Sequence, residues 1–385
     1  MNKMENGLKN KVIIIGADHH NTLAVIRCFG IQKWDFEILV ITEHRDIVGV
    51  SHSKYAKNRF ESVTPDEKEV INWLLHKAVT LKEKAIIVPC SDLAAYVIDK
   101  HTDDLKPYYI LPGFQDQPGR VAVLMDKFKQ KELAEEYQIP TADTWTIDVA
   151  EGDNIAIAFP CIIKPEISAK GNKADIAVCR NFDEFHRTMN RLKSLGYRRV
   201  LAQKLLVKKY EICAFGEIAS GKRTAGTIVK KHRETAPPAQ GSTLLAEFIN
   251  NTQIANSVKS VIDMLIKEGY RGLYDIEMLV CADDIYLNEI NFRSSGCGFG
   301  MIGKNEAFPC EWVRSELDSK HKTELIIPES GFIQNELADL FSRQKNHISL
   351  KTWFRDFIRS TRHAFFSLKD LSGTWFYYKR LLKRN

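Results

Sequence analysis

The sequence predicts an α/β protein in which a parallel sheet is followed by antiparallel strands and a helical tail. Three observations support this fold class. Strand and helix patterns alternate over residues 11–101, which is typical of a parallel sheet with helices on both faces. Residues 272–293 show period-two alternation on either side of a turn, as in an antiparallel hairpin. Residues 347–385 place apolar side chains at helical spacing among basic residues.

The first region begins with "KVIIIGADHHNTLAVIRCFG", which reads as a buried strand, a turn and a helix. Strands are predicted at 36–42 and 85–90, with a helix at 66–82 and another from Ser91, a plausible N-cap. The first turn contains Gly16 but lacks the second and third glycines of the dinucleotide-binding fingerprint. A nicotinamide-dinucleotide site is therefore not predicted.

Short strands and further helices are predicted in the middle of the chain. A helix that contains Lys127 ends before Pro140. The later strands are predicted at 160–165, 174–179, 200–206 and 211–218, and the later helices at 182–195 and 253–268.

The hairpin "GLYDIEMLVCADDIYLNEINFR" carries polar side chains among residues that otherwise predict a core. Because alternate residues of a strand share a face, Glu289, Asn291 and Arg293 lie together, as do Asp275 and Glu277 on the preceding strand. Two carboxylates and an amide oxygen suit Mg²⁺, and an Arg suits phosphate or carboxylate oxygens. The alternative is a solvated polar face with an Arg–Glu pair.

Two lysines and a small loop precede the hairpin in the sequence. Lys127 is near the start of its helix, Lys164 ends an apolar strand, and "SAKGNK" at 168–173 is a short flexible segment. Such a loop can direct backbone N–H groups at phosphate oxygens. Together with the downstream carboxylates, these features predict a nucleotide–Mg²⁺ site.

Charge is distributed unevenly along the 385 residues. The formal net charge is +6, but residues 347–385 contain nine Lys and Arg against two Asp, so residues 1–346 are close to neutral. A nucleic-acid enzyme is expected to carry its basic residues along the body, so a nucleic-acid partner is not predicted. The eight cysteines are scattered without a C-x-x-C pair, which favours a cytoplasmic protein without disulfides.

In this order and spacing, the motifs resemble the ATP-grasp superfamily of carboxylate–amine ligases, in particular its D-aspartate ligase-like and carbamoyl-phosphate-synthetase-like branch. The resemblance extends from about residue 11 to about residue 325. Its most specific element is E-x-N-x-R at Glu289, Asn291 and Arg293. Asp126 and Lys127 match the "DK" pair before "G-I-P-T", although Gln138 stands where the family usually has Gly.

The resemblance implies roles for individual residues. Lys127 and Lys164 would contact nucleotide phosphates, and Arg293 would steady the transferred phosphate. The implied metal ligands are Glu277, Glu289 and Asn291. The other implied nucleotide-binding residues are Ser168, Lys170, Gly171 and Lys173 in a phosphate-covering loop, Gln203, Lys204 and Leu205 at the adenine, and Glu211 at the ribose.

A basic loop, "KKHRETAPPAQGSTLL", also has a counterpart in this branch. Lys231 and Arg233 are its candidates for contacting the γ-phosphate or an acyl phosphate. Strand alternation could equally select Lys230 and His232, so the assignment stays open at this point.

The implied architecture has three parts: a Rossmann-like pre-ATP-grasp domain at 1–112, an ATP-grasp domain at 113–330 with a small lid at about 113–206, and a basic, aromatic helical tail at 331–385. The implied cofactors are ATP and Mg²⁺, with Mn²⁺ as an alternative.

The resemblance also implies a reaction. ATP would phosphorylate a carboxylate with release of ADP, and an amine would attack the acyl phosphate with release of phosphate. An amino acid or small peptide is the expected substrate. A carboxylate–thiol ligase, a bicarbonate-activating enzyme and a catalytically silent ATP-binding scaffold are alternatives.

The tail admits two interpretations. Its amphipathic helix could contact an anionic membrane surface or an enzyme of envelope biosynthesis, which would make the protein membrane-peripheral. The alternative is a purely structural tail, which packs on the catalytic body with its basic faces in water. A homodimer is also left open.

Overall fold

The computed structural model describes residues 10–115, 117–150, 157–166, 175–236 and 241–382. The first sheet has five parallel strands in the order β3-β2-β1-β4-β5. Its strands are β1 (Val12–Ala17), β2 (Phe36–Ile41), β3 (Phe60–Val63), β4 (Ala85–Pro89) and β5 (Tyr109–Ile110). Its helices are α1 (His20–Ile31), α2 (Glu67–Ala78), α3 (Asp92–Lys100) and α4 (Thr102–Leu105). This is the predicted Rossmann-like arrangement, and Ser91 caps α3 by accepting from the N–H of Ala94.

The sheet order reverses between β1 and β4, so the carboxyl ends of these two strands flank a crevice. Gly16 at the end of β1 is required by close packing: a Cβ there would lie 2.4 Å from the Thr22 hydroxyl and 2.6 Å from Cys90. The glycine therefore serves the packing of the turn against β4.

A four-stranded antiparallel sheet forms a separate small layer, in the order β7-β10-β8-β9. Its elements are β7 (Thr144–Asp148), β8 (Cys161–Pro165), β9 (Ala177–Cys179), α7 (Phe182–Ser194) and β10 (Arg199–Lys204). It lies within the predicted lid range of 113–206. The remainder of that range, β6 (Gly113–Phe114), α5 (Arg120–Leu124) and α6 (Lys127–Glu136), packs on the large sheet instead.

The large sheet has eight strands, in the order β15-β14-β11-β12-β13-β16-β17, with β6 also paired to β14. Its central elements are β11 (Tyr210–Ala219), β12 (Arg223–Glu234), β13 (Thr243–Phe248), α8 (Thr252–Lys267), β14 (Tyr270–Val280), β15 (Ile285–Asn291) and α9 (Phe308–Leu317). One face packs on α8, and the other packs on α9 and on α1 of the first domain. The continuous core between α1 and this sheet brings the crevice of the first sheet to the hairpin β14–β15.

The tail is less purely helical than predicted, because two of its segments join the large sheet. Its elements are β16 (Phe332–Gln334), α10 (Glu336–Ser342), α11 (Leu350–Arg359), β17 (Ser360–His363) and α12 (Leu371–Leu382). β16 pairs with β13, and β17 pairs with β16. A fully buried ion pair, with 2.9 Å between Arg27 Nε and Asp370 Oδ2, links α1 to the tail. The tail therefore packs on the body, as the structural interpretation of the tail predicts.

All eight cysteines are buried thiols, in agreement with the absence of a disulfide pattern in the sequence. Within the described ranges, no helix is long and apolar enough to cross a membrane.

Candidate active site

The hairpin brings two carboxylates face to face. Glu277 on β14 and Glu289 on β15 are direct cross-strand partners, and Asp275 is the partner of Asn291. Their side chains are partly exposed, at 22% for Glu277 and 17% for Glu289. The shared face that strand alternation predicts is therefore present.

A β-bulge interrupts this pairing. Glu277 pairs with Glu289, but the next residue of β14, Met278, pairs with Leu287, so Asn288 has no cross-strand partner. Bulges redirect side chains and increase local twist. Here the extra residue places Asn288 Oδ1 3.0 Å from Lys164 Nζ. Simple alternation assigns Asn288 to the buried face, so this contact could not be predicted from residue spacing.

Lysines neutralise both hairpin carboxylates. Lys127 Nζ lies 2.7 Å from Glu289 Oε1, and Lys231 Nζ lies 3.3 Å from Glu277 Oε2. The start of α6 fixes the position of Lys127, because Asp126 caps this helix by accepting from the N–H groups of Phe128 and Lys129.

Lys231 lies at the centre of a carboxylate cluster. It is the cross-strand partner of Glu211, contacts that carboxylate directly, and lies 3.6 Å from Glu234. Burial disfavours the charged ammonium, but Glu277, Glu211 and Glu234 more than offset this cost, so the pKa of Lys231 is raised well above its ordinary value. Lys231 is therefore a firmly charged cation at neutral pH. Lys208 also contacts Glu211 and Glu234, each at 2.8 Å.

Among the four basic residues at 230–233, the structure brings Lys231 alone into this cluster. Lys230 lies over the ring of Tyr210, and His232 contacts Glu247. Arg233 forms a bidentate pair with Asp339 of α10 at 2.7 and 2.6 Å and also contacts Asp356 of α11 at 3.0 Å. These contacts join Arg233 to the tail and favour a structural role over the catalytic role predicted for it.

Lys164 faces neutral groups. Its ammonium donates to Gln203 Oε1 at 2.7 Å and to Asn288 Oδ1 at 3.0 Å. Burial and the nearby charge of Lys127 lower its pKa to about 8, against a smaller opposing effect of the surrounding glutamates. A pocket of about 400 Å³ opens between the small sheet and the hairpin, and Lys127, Lys164 and Gln203 line it. Three of the predicted nucleotide-binding residues thus share one pocket.

The segment after β10 is held by backbone hydrogen bonds. The N–H of Lys204 donates to Asp143 O at 2.9 Å, and the N–H of Leu205 donates to Pro160 O at 3.1 Å. The Lys204 ammonium is exposed and lies 3.7 Å from Asp143. Ser168, Lys170, Gly171 and Lys173 lie outside the described residues.

Arg293 is held between the two domains. Its Nη1 lies 2.6 Å from Asp275 Oδ2, and its Nε lies 3.0 Å from Asp92 Oδ1 at the start of α3. Burial opposes its charge, but Asp92 and Asp275 more than offset burial and raise the pKa of Arg293. The next residue, Ser294, donates its N–H to Pro89 O at 3.1 Å. Sequence reasoning did not assign Asp92 a role. Its place directly after a parallel strand was the available signal.

The donor chemistry at the hairpin fits a hard divalent cation. Glu277, Glu289 and the amide of Asn291 offer oxygen ligands on one face. Among the described residues, no group of three or more His, Cys, Asp and Glu side chains is placed so that it could hold a metal ion. Mg²⁺ commonly takes only one or two carboxylates and completes its shell with water and nucleotide phosphates. The two opposed carboxylates therefore suit a nucleotide-borne Mg²⁺.

A second cavity, of about 320 Å³, lies beside the loop that follows the hairpin. Ser294, Ser295 and Gly298 line one part, and apolar groups that include Phe215, Leu273 and Met301 line the rest. His20 at the start of α1 contacts Gly296 O of the same loop at 3.1 Å. The second cavity thus adjoins both the crevice of the first sheet and the hairpin.

The fold is the one that the resemblance to the ATP-grasp superfamily implies. No family model matches the chain. The chain is 25% identical over 191 residues to the formate-dependent phosphoribosylglycinamide formyltransferase of Mannheimia succiniciproducens, a match that covers 45% of this chain and 44% of that relative. It thus spans less than half the length of that relative. The enzyme of the same name from Escherichia coli is 27% identical over 306 residues, covering 75% of this chain and 70% of its own.

Solved structures share most of this architecture. Carboxyaminoimidazole ribonucleotide synthase from Aspergillus clavatus, complexed with ATP, superposes with a TM-score of 0.66 at 15% identity, covering 85% of this chain and 82% of its own. L-amino acid ligase from Bacillus licheniformis superposes with a TM-score of 0.61 at 14% identity, covering 84% and 79%. The chain has the ATP-grasp fold, and its relatives and structural neighbours confirm the resemblance inferred from the motifs.

Proposed function

We propose that the protein is an ATP-dependent ligase that phosphorylates a carboxylate and couples the acyl phosphate to an amine. An oxygen of the carboxylate attacks the γ-phosphorus of ATP, and ADP leaves. The amine nitrogen then attacks the acyl carbon, and phosphate leaves as the amide bond forms. The observation that carries this proposal is the opposed pair Glu277 and Glu289, each matched by a lysine, of which Lys127 also lines the pocket that contains Lys164.

Phosphoryl transfer needs charge neutralisation and positioning more than a protein nucleophile. When bound, Mg²⁺ would neutralise charge on the triphosphate, with Glu277, Glu289 and Asn291 as its protein ligands and Mn²⁺ as an alternative ion. Lys127 and Lys231 now pair with the two hairpin carboxylates. Lys127 lines the pocket and Lys231 lies beside Glu277, so both ammonium groups are suited to contact phosphate oxygens of a bound nucleotide.

The remaining site residues divide between nucleotide and acyl group. Lys164 faces the pocket through two neutral amide partners, so it can be redirected to a phosphate without breaking an ion pair. Glu211 remains the candidate for the ribose hydroxyls, although it is paired with Lys231 and Lys208 here. Arg293, at the junction of the hairpin and the first domain, is suited to an acyl phosphate.

The second cavity supports an amino acid or small peptide as a substrate. Its serine hydroxyls can hydrogen-bond polar termini, while Phe215, Leu273 and Met301 suit an apolar side chain. A bicarbonate-activating enzyme is the second candidate, because several structural neighbours are named for a carboxylated ribonucleotide. A silent ATP-binding scaffold is the third.

The experiment measures ADP and phosphate release with Mg²⁺ across pools of amino acids and small peptides, with and without bicarbonate. Release that requires a carboxylate and an amine supports the ligase. Release that requires bicarbonate alone supports the second candidate, and ATP binding without release in any pool supports the scaffold. Glu289→Gln should lower release at least about 100-fold. Glu135→Gln, on the exposed side of α6, is the matched control and should leave release unchanged. Unchanged release by Glu289→Gln would overturn the site assignment.

A further inference from the structure

One side of α11 exposes a line of large apolar side chains. Leu350, Phe354 and Ile358 are spaced four residues apart and are 56%, 56% and 69% exposed. Residues at this spacing lie along one side of a helix. Singly exposed apolar residues are common, but three in one line form a patch that needs an explanation.

A line of cations runs beside this apolar line. Lys351, Arg355 and Arg359 each follow one of the apolar residues and are all exposed, although Arg355 also lies 3.4 Å from Asp356 and the Arg359 guanidinium lies over the Phe332 ring. The one acidic residue of α11, Asp356, is buried and accepts a hydrogen bond from Arg233. The α11 outer face, defined as Leu350, Lys351, Phe354, Arg355, Ile358 and Arg359, therefore combines three apolar residues with three cations and has no carboxylate.

The opposite side of α11 is firmly attached to the protein. The Trp353 indole donates to Glu336 O at 3.0 Å, and the Phe357 ring lies 4.2 Å from the ring of His363 and 5.5 Å from that of Phe366. The helix thus has a packed inner side and an exposed outer face, and the body does not need the outer apolar side chains for its own core.

The other long helix of the tail repeats this combination. On α12, Leu371 and Trp375 are four residues apart and are 60% and 62% exposed. Lys379 and Arg380 follow on the same helix and are exposed. Five basic residues of the tail, Lys351, Arg355, Arg359, Lys379 and Arg380, thus lie on helices that also expose apolar side chains.

We propose that the α11 outer face docks on an anionic phospholipid surface, with the helix lying in the membrane interface. Apolar side chains would enter the boundary between headgroups and acyl chains, while the long cations reach lipid phosphates. A polyanion such as nucleic acid would not use the apolar line. A second copy of this chain would bring six cations together with no carboxylate on the facing surfaces. This inference does not depend on the proposed function.

The test is vesicle co-sedimentation of the full chain with neutral phosphatidylcholine and with mixtures that contain phosphatidylglycerol. The proposal expects binding to anionic vesicles at least tenfold stronger than to neutral ones, and weaker binding at high salt. The double variant Phe354→Ser with Ile358→Ser should lose at least tenfold in binding, and Lys351→Gln with Arg355→Gln should also weaken it. The control, Lys68→Gln with Lys82→Gln, removes the same charge from an exposed part of the first domain and should bind normally.

Equal binding to both kinds of vesicle, or normal binding by both outer-face variants, would overturn the proposal. Self-association that the Phe354→Ser, Ile358→Ser variant abolishes, without vesicle binding by the original chain, would assign the face to a second copy instead. The unfolding midpoint and the ADP release of each variant are measured as controls for folding. Both should be unchanged, because none of the four substituted outer-face residues contacts the hairpin cluster.

Discussion

Two groups of ion pairs differ in how far they are buried and in how many hydrogen bonds their cations make. One group lies at the hairpin β14–β15, and the other joins the tail to the rest of the chain. At the hairpin, lysines face glutamates that remain about one-fifth exposed beside a pocket. At the tail, Arg27 and Asp370 are fully buried, and the guanidinium also donates to two backbone carbonyls, of Ala364 and Phe365. A hairpin lysine can exchange its carboxylate partner for a ligand. An arginine at the tail cannot, because its guanidinium already makes several hydrogen bonds within the protein.

The comparison indicates how a cation proposed for catalysis differs from a structural one. Both Lys231 and Arg233 lie on β12, two residues apart, and both contact buried carboxylates. Lys231 has a partner on the hairpin, and Arg233 has both of its carboxylate partners on the tail. Partner location, and not residue type or sequence position, separates the catalytic role proposed for Lys231 from the structural role of Arg233.

The largest effect is expected at the tail anchor. Asp370→Asn leaves Arg27 buried without a charged partner, which typically costs about 3–5 kcal/mol in the free energy of unfolding. Denaturant unfolding measures this change. The control Asp103→Asn removes an exposed carboxylate of the first domain and should leave the unfolding midpoint unchanged. An Asp370→Asn protein as stable as the original chain would show that the anchor is not structural.

Matched substitutions on β12 should separate the two roles directly. Lys231→Met should lower ADP release about 100-fold, because it removes the cation beside Glu277. Arg233→Met should instead lower the free energy of unfolding by about 3 kcal/mol, because Asp339 and Asp356 lose their partner. Its turnover per folded molecule should stay within about twofold. The reverse outcome, in which Arg233→Met folds normally and loses turnover, would restore the catalytic role predicted from the sequence.

ATP affinity should depend on pH through Lys164. Its pKa of about 8 means that the ammonium is mostly charged at pH 7 and mostly neutral at pH 9. Attraction for phosphate is therefore present below about pH 8 and is lost as pH rises, so affinity should fall about fivefold between pH 7 and pH 9. Calorimetric titration with ATP measures this slope. Lys164→Arg keeps the charge throughout and should flatten it. An equal slope in both proteins would assign the effect to other groups.

The smallest effect is expected at the bulge. Asn288→Ala removes one of the two hydrogen-bond partners of the Lys164 ammonium, and one such hydrogen bond is typically worth about 1 kcal/mol. Because that partner positions Lys164, ATP affinity should fall about threefold to fivefold, while the unfolding midpoint stays unchanged. Asn256→Ala, on the exposed side of α8, provides the control.

Local patterns predicted the parts of the site that depend on strand alternation. The face shared by Glu277 and Glu289, the helix start at Lys127 and the strand end at Lys164 all follow from residue spacing and turn chemistry. The pairing of β1 with β4 and the order of the first sheet follow the usual rules for alternating strands and helices.

Long-range packing determined the features that were not predicted. Asn288 reaches Lys164 because of a bulge, whose position depends on the partner strand. Arg233 pairs with residues more than 100 positions later in the chain, and Asp92 pairs with Arg293 across two domains. Residues 332–334 and 360–363 are too short to show a strand pattern, and the edge of the large sheet decides their conformation.

The most direct test of carboxylate activation follows oxygen-18 from a labelled carboxylate substrate, chosen from the amino-acid pool that supports ADP release. If the carboxylate is phosphorylated and the amine then displaces phosphate, one labelled oxygen must appear in the released phosphate for each amide formed. Mass spectrometry of the phosphate measures this transfer, and Glu289→Gln should abolish it together with turnover. Amide formation with unlabelled phosphate would contradict an acyl phosphate intermediate and with it the proposed chemistry of the hairpin site.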